Sequence, residues 1–439
     1  MKITIPVHHF PPRYMAGAEL YSYRIAQWLQ KRGHTVEVVC IESIDTGTSD
    51  RLEVQQDLYN NIPVWRLSFN IFTTPERRKW EFDNPLLADW FRNYATHYQP
   101  DIVHFQAGYL LGIAPLHVIS EAHIPMVLTL HDYWFLCPRT NLQRTDGQLC
   151  HSIPDTKTCA WCRKTEDTRY FHANRISAGA AGWAMRTFSL QNENILQQER
   201  RQRVLAALQI PDAVIAPSQF LARLYAPYVA PQRLHIIRGG LDVTLFENVM
   251  HTESEALRIG FIGQIAEYKG VHILVDAFRQ LQSPQRPLEL HIYGGLDVNS
   301  GYVREVRKLA QNDPRIIFHG RFQNTEIADV LGGLDVLVVP SICFENSPLT
   351  IGEAQAAATP VITSRLGGMA EKIRHDIDGL LFNAGDVQDL RHSLQRCIDE
   401  PDLLPHLGAA IRMPATIDEE MKHMFDIYAT LIPELQLNS

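Results

Sequence analysis

Phe344-Glu345-Asn346-Ser347-Pro348-Leu349-Thr350-Ile351-Gly352-Glu353-Ala354 is the stretch that decides how this chain is read. Just before it, Leu337-Val338-Val339-Pro340 is an apolar run closed by proline, the pattern of a buried strand. Ser347 can cap a helix, and Pro348 suits a first turn, where its missing N–H costs nothing. Ile351 to Ala358 continues that helix, and Thr359-Pro360 stops it. Glu345 is then expected on the loop leaving the strand. Glu353 falls inside the helix, about 9 Å further along the axis than Ser347.

A helix amino end presents free N–H groups and the positive end of a dipole, so it attracts phosphate. A carboxylate within the same helix can instead accept both hydroxyl protons of a ribose diol. A second carboxylate on the loop can do the same for a sugar beyond the phosphates. Together they fit a hydroxyl–diphosphate–hydroxyl ligand, which describes a nucleotide sugar. Two solvated glutamates on a capped helix would use the same residues.

Working outward, 439 residues exceed what one core supports, so two domains are expected. With 45% hydrophobic and 21% charged residues, the composition is that of an ordinary globular protein. A net charge of -8 argues against a general nucleic-acid binder. No apolar run is long enough to span a bilayer, and Met1 to Pro6 reads as a strand rather than a signal peptide. A cytoplasmic location is therefore expected, with the 7 cysteines reduced.

Apolar strand-like runs recur through the chain with helical stretches between them. They fall at Ile3–Val7, Thr35–Ile41, Ile62–Arg66, Asp101–Phe105, Met126–Leu130, Ala213–Pro217 and Leu234–Ile237. A second series covers Arg258–Ile262, Leu288–Tyr293, Arg315–His319, Val336–Val339 and Val361–Thr363. A proline-free stretch from Tyr170 to Leu208 reads as helical. Such alternation predicts an α/β fold with two doubly wound Rossmann-like domains and a cleft between them. The expected domains are 1–240, carrying a cysteine-bearing insertion at about 137–165, and 241–415. A last helix over Ile417–Leu435, within 416–439, is expected to pack back toward the first domain.

Ligands of open α/β sheets sit beyond the carboxyl ends of the strands. Gly17 opens the helix after the first strand, where bare amides can meet a phosphate. His131-Asp132 ends the Met126–Leu130 run, and a histidine there can donate to a sugar hydroxyl. Gly263 to Gly270 follows the Arg258–Ile262 run, placing the cation of Lys269 where a diphosphate would lie. Singly, each reads as well as a structural turn, a core histidine or a surface lysine.

In sequence order these residues resemble the retaining glycosyltransferases of family 4, which have the GT-B architecture. The matching positions are Gly17-Ala18-Glu19, His131-Asp132, Pro217-Ser218, Gly263 to Gly270 and Gly320-Arg321. Pro340-Ser341 leading to Glu345 and Glu353, and Asp378-Gly379-Leu380-Leu381-Phe382, complete the set. The resemblance implies that Glu353 binds the ribose hydroxyls and Glu345 the donor sugar. It implies that Lys269 binds the diphosphate with Gly17 and the amides around Asn346, Ser347, Pro348, Leu349 and Thr350. His131 would lie by the transferred sugar, and Arg321 and Phe322 would flank the base. By the same resemblance His131, Glu345 and Lys269 form the catalytic set, and a UDP- or GDP-sugar is the donor.

One position departs from the family. Gln264 stands where an arginine is usual, and glutamine brings no charge to a leaving phosphate. Arg13, Arg238 and Arg365 are candidates to replace it. The reaction implied is displacement of nucleoside diphosphate by an acceptor hydroxyl with retention, on a glycan, glycolipid or small molecule. No cofactor is implied for catalysis, and Asp376-Ile377-Asp378 reads as turn chemistry rather than a metal motif. Two further readings are a non-catalytic sugar-nucleotide-binding scaffold and a GT-B-fold epimerase. A dinucleotide oxidoreductase is disfavoured, because no Gly-x-Gly-x-x-Gly follows either first strand.

Cys137, Cys150, Cys159 and Cys162 fall within 26 residues, the last two as Cys-x-x-Cys. Four such thiolates can close a structural zinc site, and free thiols fit the spacing as well. Arg77-Arg78-Lys79-Trp80 and the arginines from Arg163 to Arg203 can meet anionic headgroups at the inner membrane face, or simply be solvated helix faces.

Overall fold

The computed structural model describes residues 1–177, 179–188, 190–296 and 300–432. The first sheet has eight strands: β1 (Lys2–Val7), β2 (Thr35–Ser43), β3 (Glu53–Tyr59), β4 (Ile62–Ser68), β5 (Ile102–Phe105), β6 (Met126–Thr129), β7 (Ala213–Ala216) and β8 (Leu234–Ile236). Their order is β3-β4-β2-β1-β5-β6-β7-β8, parallel except for the antiparallel β3–β4 pair. The second sheet holds β9 (Leu257–Ile262), β10 (Leu288–Tyr293), β11 (Ile316–Gly320), β12 (Val336–Val339), β13 (Val361–Ser364) and β14 (Gly379–Phe382). It runs β11-β10-β9-β12-β13-β14 and is parallel throughout.

Burial explains why these runs become central strands. β5, β6, β7, β12, β13 and β14 are buried at every position, as a sheet covered by helices on both faces requires. The helix Val271–Arg279 lays Ile273, Leu274, Ala277 and Phe278 into a core shared with Leu257, Ile259, Leu290 and Ile292. In each sheet the first strand, β1 or β9, lies where the strand order reverses, which is where such folds bind ligands.

The chain divides into two compact units. One comprises 1–217, 221–237 and the residues from 421 onward; the other comprises 218–220 and 238–420. The helix Ile417–Leu431 therefore ends in the first unit, where Phe425 packs on Trp28 and the Tyr428 hydroxyl meets His104 Nδ1 at 2.7 Å. Residues 433–435 of the helix expected there lie outside the described residues.

Two local expectations need correction. The stretch 170–208 is not one helix but parts of three, Thr168–Ile176, Ala180–Phe188 and Gln191–Ala207. The first break contains Gly179 at φ +94°, a conformation that ends a helix cheaply only with glycine. The helix after β12 begins at Leu349, with Pro348 in the N-cap place, so Ser347 is not the cap. Pro348 has an extended ψ of 125°, and the helix stops at Ala356, two residues before Ala358 at φ +55°. β3, not foreseen from the sequence, is an exposed edge strand without a buried face, joined to β4 through Asn60 and Asn61, both at positive φ.

Candidate functional site

The loops leaving β9 and β12 carry the charged residues of the second unit. Lys269 closes the short 3-10 turn Glu267–Lys269, and its Nζ lies 2.6 Å from Glu345 Oε1. Ser341 Oγ donates to the same oxygen at 2.9 Å. Burial alone would lower the Lys269 pKa, but the Glu345 charge and hydrogen bond raise it above the ordinary lysine value. The ammonium is therefore kept charged.

Backbone contacts, not side-chain size, hold this pair in register. Gly270, at φ +70°, brings its Cα so close to Pro340 that an added Cβ would stand 2.0 Å from that carbonyl oxygen. The Ile342 amide donates to Tyr268 O at 2.9 Å, tying the same two loops together. On the other side, Gly368 N donates to Glu345 O at 2.8 Å. A Cβ on Gly368 would sit 1.7 Å from the Asn346 carbonyl oxygen. Glu345 and Asn346 are thus clamped between two glycine approaches, which is the local reason that only glycine fits there. Ser218, grouped with this unit, donates through its hydroxyl to Asn346 Oδ1 at 2.9 Å, and Phe220 stacks on Phe344.

Ser347 and Pro348 lead into the helix amino end at Leu349 and Thr350, and Glu353 lies in the body of that helix with 6% exposure. Lys372 was not singled out from the sequence, yet it senses the Glu353 carboxylate. Burial first, and the neighbouring Arg238 second, lower its pKa to about 8 against the pull of Glu353. The distance of 19 positions between them hid this pair; only packing brings it together. Gln264 is engaged, its Oε1 accepting from the Tyr268 hydroxyl at 2.6 Å. Of the expected substitutes for a missing arginine, Arg13 pairs with Glu42 and Arg365 reaches the Leu381 carbonyl. Arg238 is the one that lies in the field of Lys372.

At the ends of β10 and β11, Tyr293 stacks on His319 with centroids 4.2 Å apart, and Phe322 meets Tyr293 edge-on. Arg321 packs over Gly295. The aromatic pair Tyr293–His319 was not foreseen, although each residue closes an apolar run.

In the first unit, His131 Nε2 lies 3.0 Å from Gln106 Oε1 and its ring meets Tyr21 edge-on. Burial holds the His131 pKa well below the usual histidine value, with His8 adding to the drop. The Asp132 carboxylate accepts from the Trp134 amide at 2.8 Å. Gly17 begins the helix Gly17–Lys31 with open space beside its Cα.

Cys137, Cys150, Cys159 and Cys162 line one small cavity as free thiols. Among the described residues no group of three or more His, Cys, Asp or Glu side chains is placed to hold a metal ion. Arg201 donates to Cys159 Sγ at 3.4 Å and Arg139 to Cys162 Sγ at 3.7 Å. Two of the sulfurs thus meet guanidinium groups, while all four cysteines border the same cavity. In the Asp376–Asp378 turn, Asp376 pairs with Arg396 and Asp378 with Arg374. A cavity of about 940 Å³ beside Arg286, Asp335 and Pro360 lies at the amino ends of β10, β12 and β13, away from the loaded loops. No helix among the described residues is long and apolar enough to cross a membrane.

The family model for Glycosyltransferase Family 4 matches residues 15–245, and that for Glycosyl transferases group 1 matches 256–400. A D-inositol 3-phosphate glycosyltransferase of Xylanimonas cellulosilytica is 27% identical over 77% of this chain and 86% of its own. An alpha-maltose-1-phosphate synthase of Mycolicibacterium smegmatis is 25% identical over 73% of this chain and 81% of its own. Among solved structures, sucrose-phosphate synthase from Thermosynechococcus elongatus superposes with a TM-score of 0.69 at 19% identity, covering 99% of both chains. Anabaena HepE in complex with UDP-glucose gives 0.64 at 17% identity, over 98% of this chain and 100% of the other.

Proposed function

The chain belongs to glycosyltransferase family 4, and we propose that it transfers a sugar from a UDP- or GDP-sugar to an acceptor hydroxyl with retained anomeric configuration. Its fold is GT-B, two Rossmann-like domains, and it is a glycosyltransferase. The observation that carries the finer reading is the Lys269–Glu345 pair, fixed by two glycine approaches at the ends of β9 and β12.

On this reading the ammonium of Lys269 turns to the diphosphate, and Glu345 is released to accept from donor-sugar hydroxyls. Amides at Leu349 and Thr350 add the helix dipole, and Glu353 accepts from the ribose diol. The anomeric carbon–phosphate oxygen bond breaks as the acceptor oxygen attacks the same face. The departing phosphate takes the acceptor proton, so no enzymic nucleophile and no metal is called on. His131, kept neutral by burial and giving its Nε2–H to Gln106 Oε1, offers Nδ1 to accept from a sugar hydroxyl without bringing charge. The acceptor is a glycan, a glycolipid or a small molecule. Location in the cytoplasm, with contact to the inner membrane face through Arg77 to Trp80, belongs to this proposal too.

Calorimetric binding of UDP, GDP, ADP and their sugar conjugates, repeated on Glu353→Gln, tests it. Selective binding by the wild type that the variant loses would support the assignment. No binding to any of them by the wild type would sink it in favour of a degenerate donor site.

A further inference from the structure

Three neighbouring strands of the first sheet, β1, β5 and β6, end in His8, Gln106 and Leu130-His131. The order reverses between them, so their carboxyl ends open onto the binding position of the fold. His8 Nε2 lies 3.3 Å from Oε1 of Glu19, in the first turn of the helix Gly17–Lys31. Glu19 is only 5% exposed; burial raises its pKa, but the hydrogen bond from His8 outweighs this and holds it below the usual value. An ionised Glu19 accepts, which places the His8 proton on Nε2 and leaves a lone pair on Nδ1.

That Nδ1 is buried and has no hydrogen-bond partner in the protein. Gln106 repeats the situation with the opposite sense. Its Oε1 meets His131 Nε2 at 3.0 Å, which turns its amide nitrogen the other way, and this Nε2 is also buried without a partner. Buried polar atoms are almost always satisfied, so two orphans bordering one histidine call for a ligand. One is an acceptor and the other a donor, the complement of a hydroxyl group. Both border His131, whose electrostatics register His8 and whose ring nitrogen meets Gln106. The groups in contact with them are Glu19, His9, Tyr109 and His131, one carboxylate and otherwise rings. An anionic ligand would meet the Glu19 charge there.

We propose that His8 Nδ1 and Gln106 Nε2 bind a hydroxyl or vicinal diol of an uncharged polyol or glycoside acceptor, with Glu19 as the residue that positions His8. The inference rests on the transferase reading above. It adds the acceptor class, and it separates this chain from relatives named for an inositol phosphate.

The test is nitrogen-15 NMR of histidine-labelled full-length protein, saturated with the nucleotide that calorimetry selects and titrated with myo-inositol or methyl α-D-glucopyranoside. The His8 Nδ1 resonance should move and saturate with at least one probe. In Gln106→Leu the affinity for that probe should fall about tenfold, the effect of one lost hydrogen bond, with nucleotide affinity unaltered. In Glu19→Gln the amide can donate to Nε2, so the His8 proton should appear on Nδ1 before any probe is added. A silent Nδ1 with both probes while nucleotide binds would overturn the inference alone, and would mean that water satisfies the pair. Tighter binding of inositol 3-phosphate than of inositol would overturn the uncharged class. Absence of any nucleotide binding would be a failure of the donor reading instead.

Discussion

Lys269 Nζ stands 2.6 Å from Glu345 Oε1, and Ser341 Oγ reaches that same oxygen at 2.9 Å. Both partners are mostly buried, with side-chain exposures of 26% and 16%. The pair therefore stores two charges in contact, ready to be divided between a diphosphate and a sugar.

Removing either member should separate these roles. Lys269→Met should weaken binding of a nucleoside diphosphate about 10- to 100-fold, the worth of a charged hydrogen bond of about 1.5–3 kcal/mol. It should also lower the thermal midpoint, because the Glu345 carboxylate, which keeps Ser341, loses its charged partner. Glu345→Gln should keep nucleoside diphosphate affinity and lose the preference for the sugar conjugate. Calorimetry with matched nucleotide and nucleotide-sugar pairs reads both; equal losses in the two variants would contradict the division.

Gly270→Ala should destabilise the protein through backbone geometry alone. A left-handed φ of +70° costs a residue with a Cβ about 1–2 kcal/mol, and the new carbon would sit 2.0 Å from Pro340 O. The loops of Lys269 and Ile342 must then part, so donor affinity should fall together with the unfolding midpoint. An alanine variant with unchanged midpoint and affinity would show that Gly270 does not clamp the loops.

These contacts mark the limit of what the sequence revealed. Buried parallel strands are legible because β5, β6 and β12 are apolar at nearly every position. β3 was missed because its few apolar residues, Val54 and Leu58, stand among polar ones and no face of it is buried; the Asn60-Asn61 turn was the available signal. Gly179 was equally visible as the break in a stretch read as a single helix. Glu345 and Glu353 could be named from their spacing around a strand–helix junction. Lys372 and the Gly368–Asn346 approach could not, since residues far apart in sequence meet only through packing. The orphan nitrogens of His8 and Gln106 lie beyond any motif, because they are defined by what their neighbours leave unbonded.

Gln264→Arg tests whether the family's missing charge limits this chain. The new guanidinium would lose the Tyr268 contact and bring a bidentate cation toward the diphosphate. Nucleoside diphosphate affinity, and the turnover rate where chemistry limits it, should rise about tenfold. No gain in either would mean that the positive field is already supplied, and the Arg238–Lys372 pair would be the place to look.

Acid should loosen the first unit through His104. Its ring is fully buried between the Tyr428 hydroxyl and Thr129 Oγ1, each at 2.7 Å, and burial with the neighbouring His131 lowers its pKa to about 3. The unfolded chain binds this proton near pH 6.5 and the folded one only near 3, so the unfolded state gains protons first as pH falls. The stability is complete above about pH 6.5 and is lost toward pH 3, at about 1.4 kcal/mol per pH unit for this one group. His104→Asn should start less stable at neutral pH, having lost a buried partner of Tyr428. Between pH 6.5 and 4 its unfolding midpoint should nevertheless fall less steeply, by the equivalent of one proton. Denaturant titrations across that range compare the two slopes, and parallel lines would place the acid sensitivity elsewhere. Because Tyr428 belongs to the helix Ile417–Leu431, hydrogen exchange of that helix should accelerate in the same pH window.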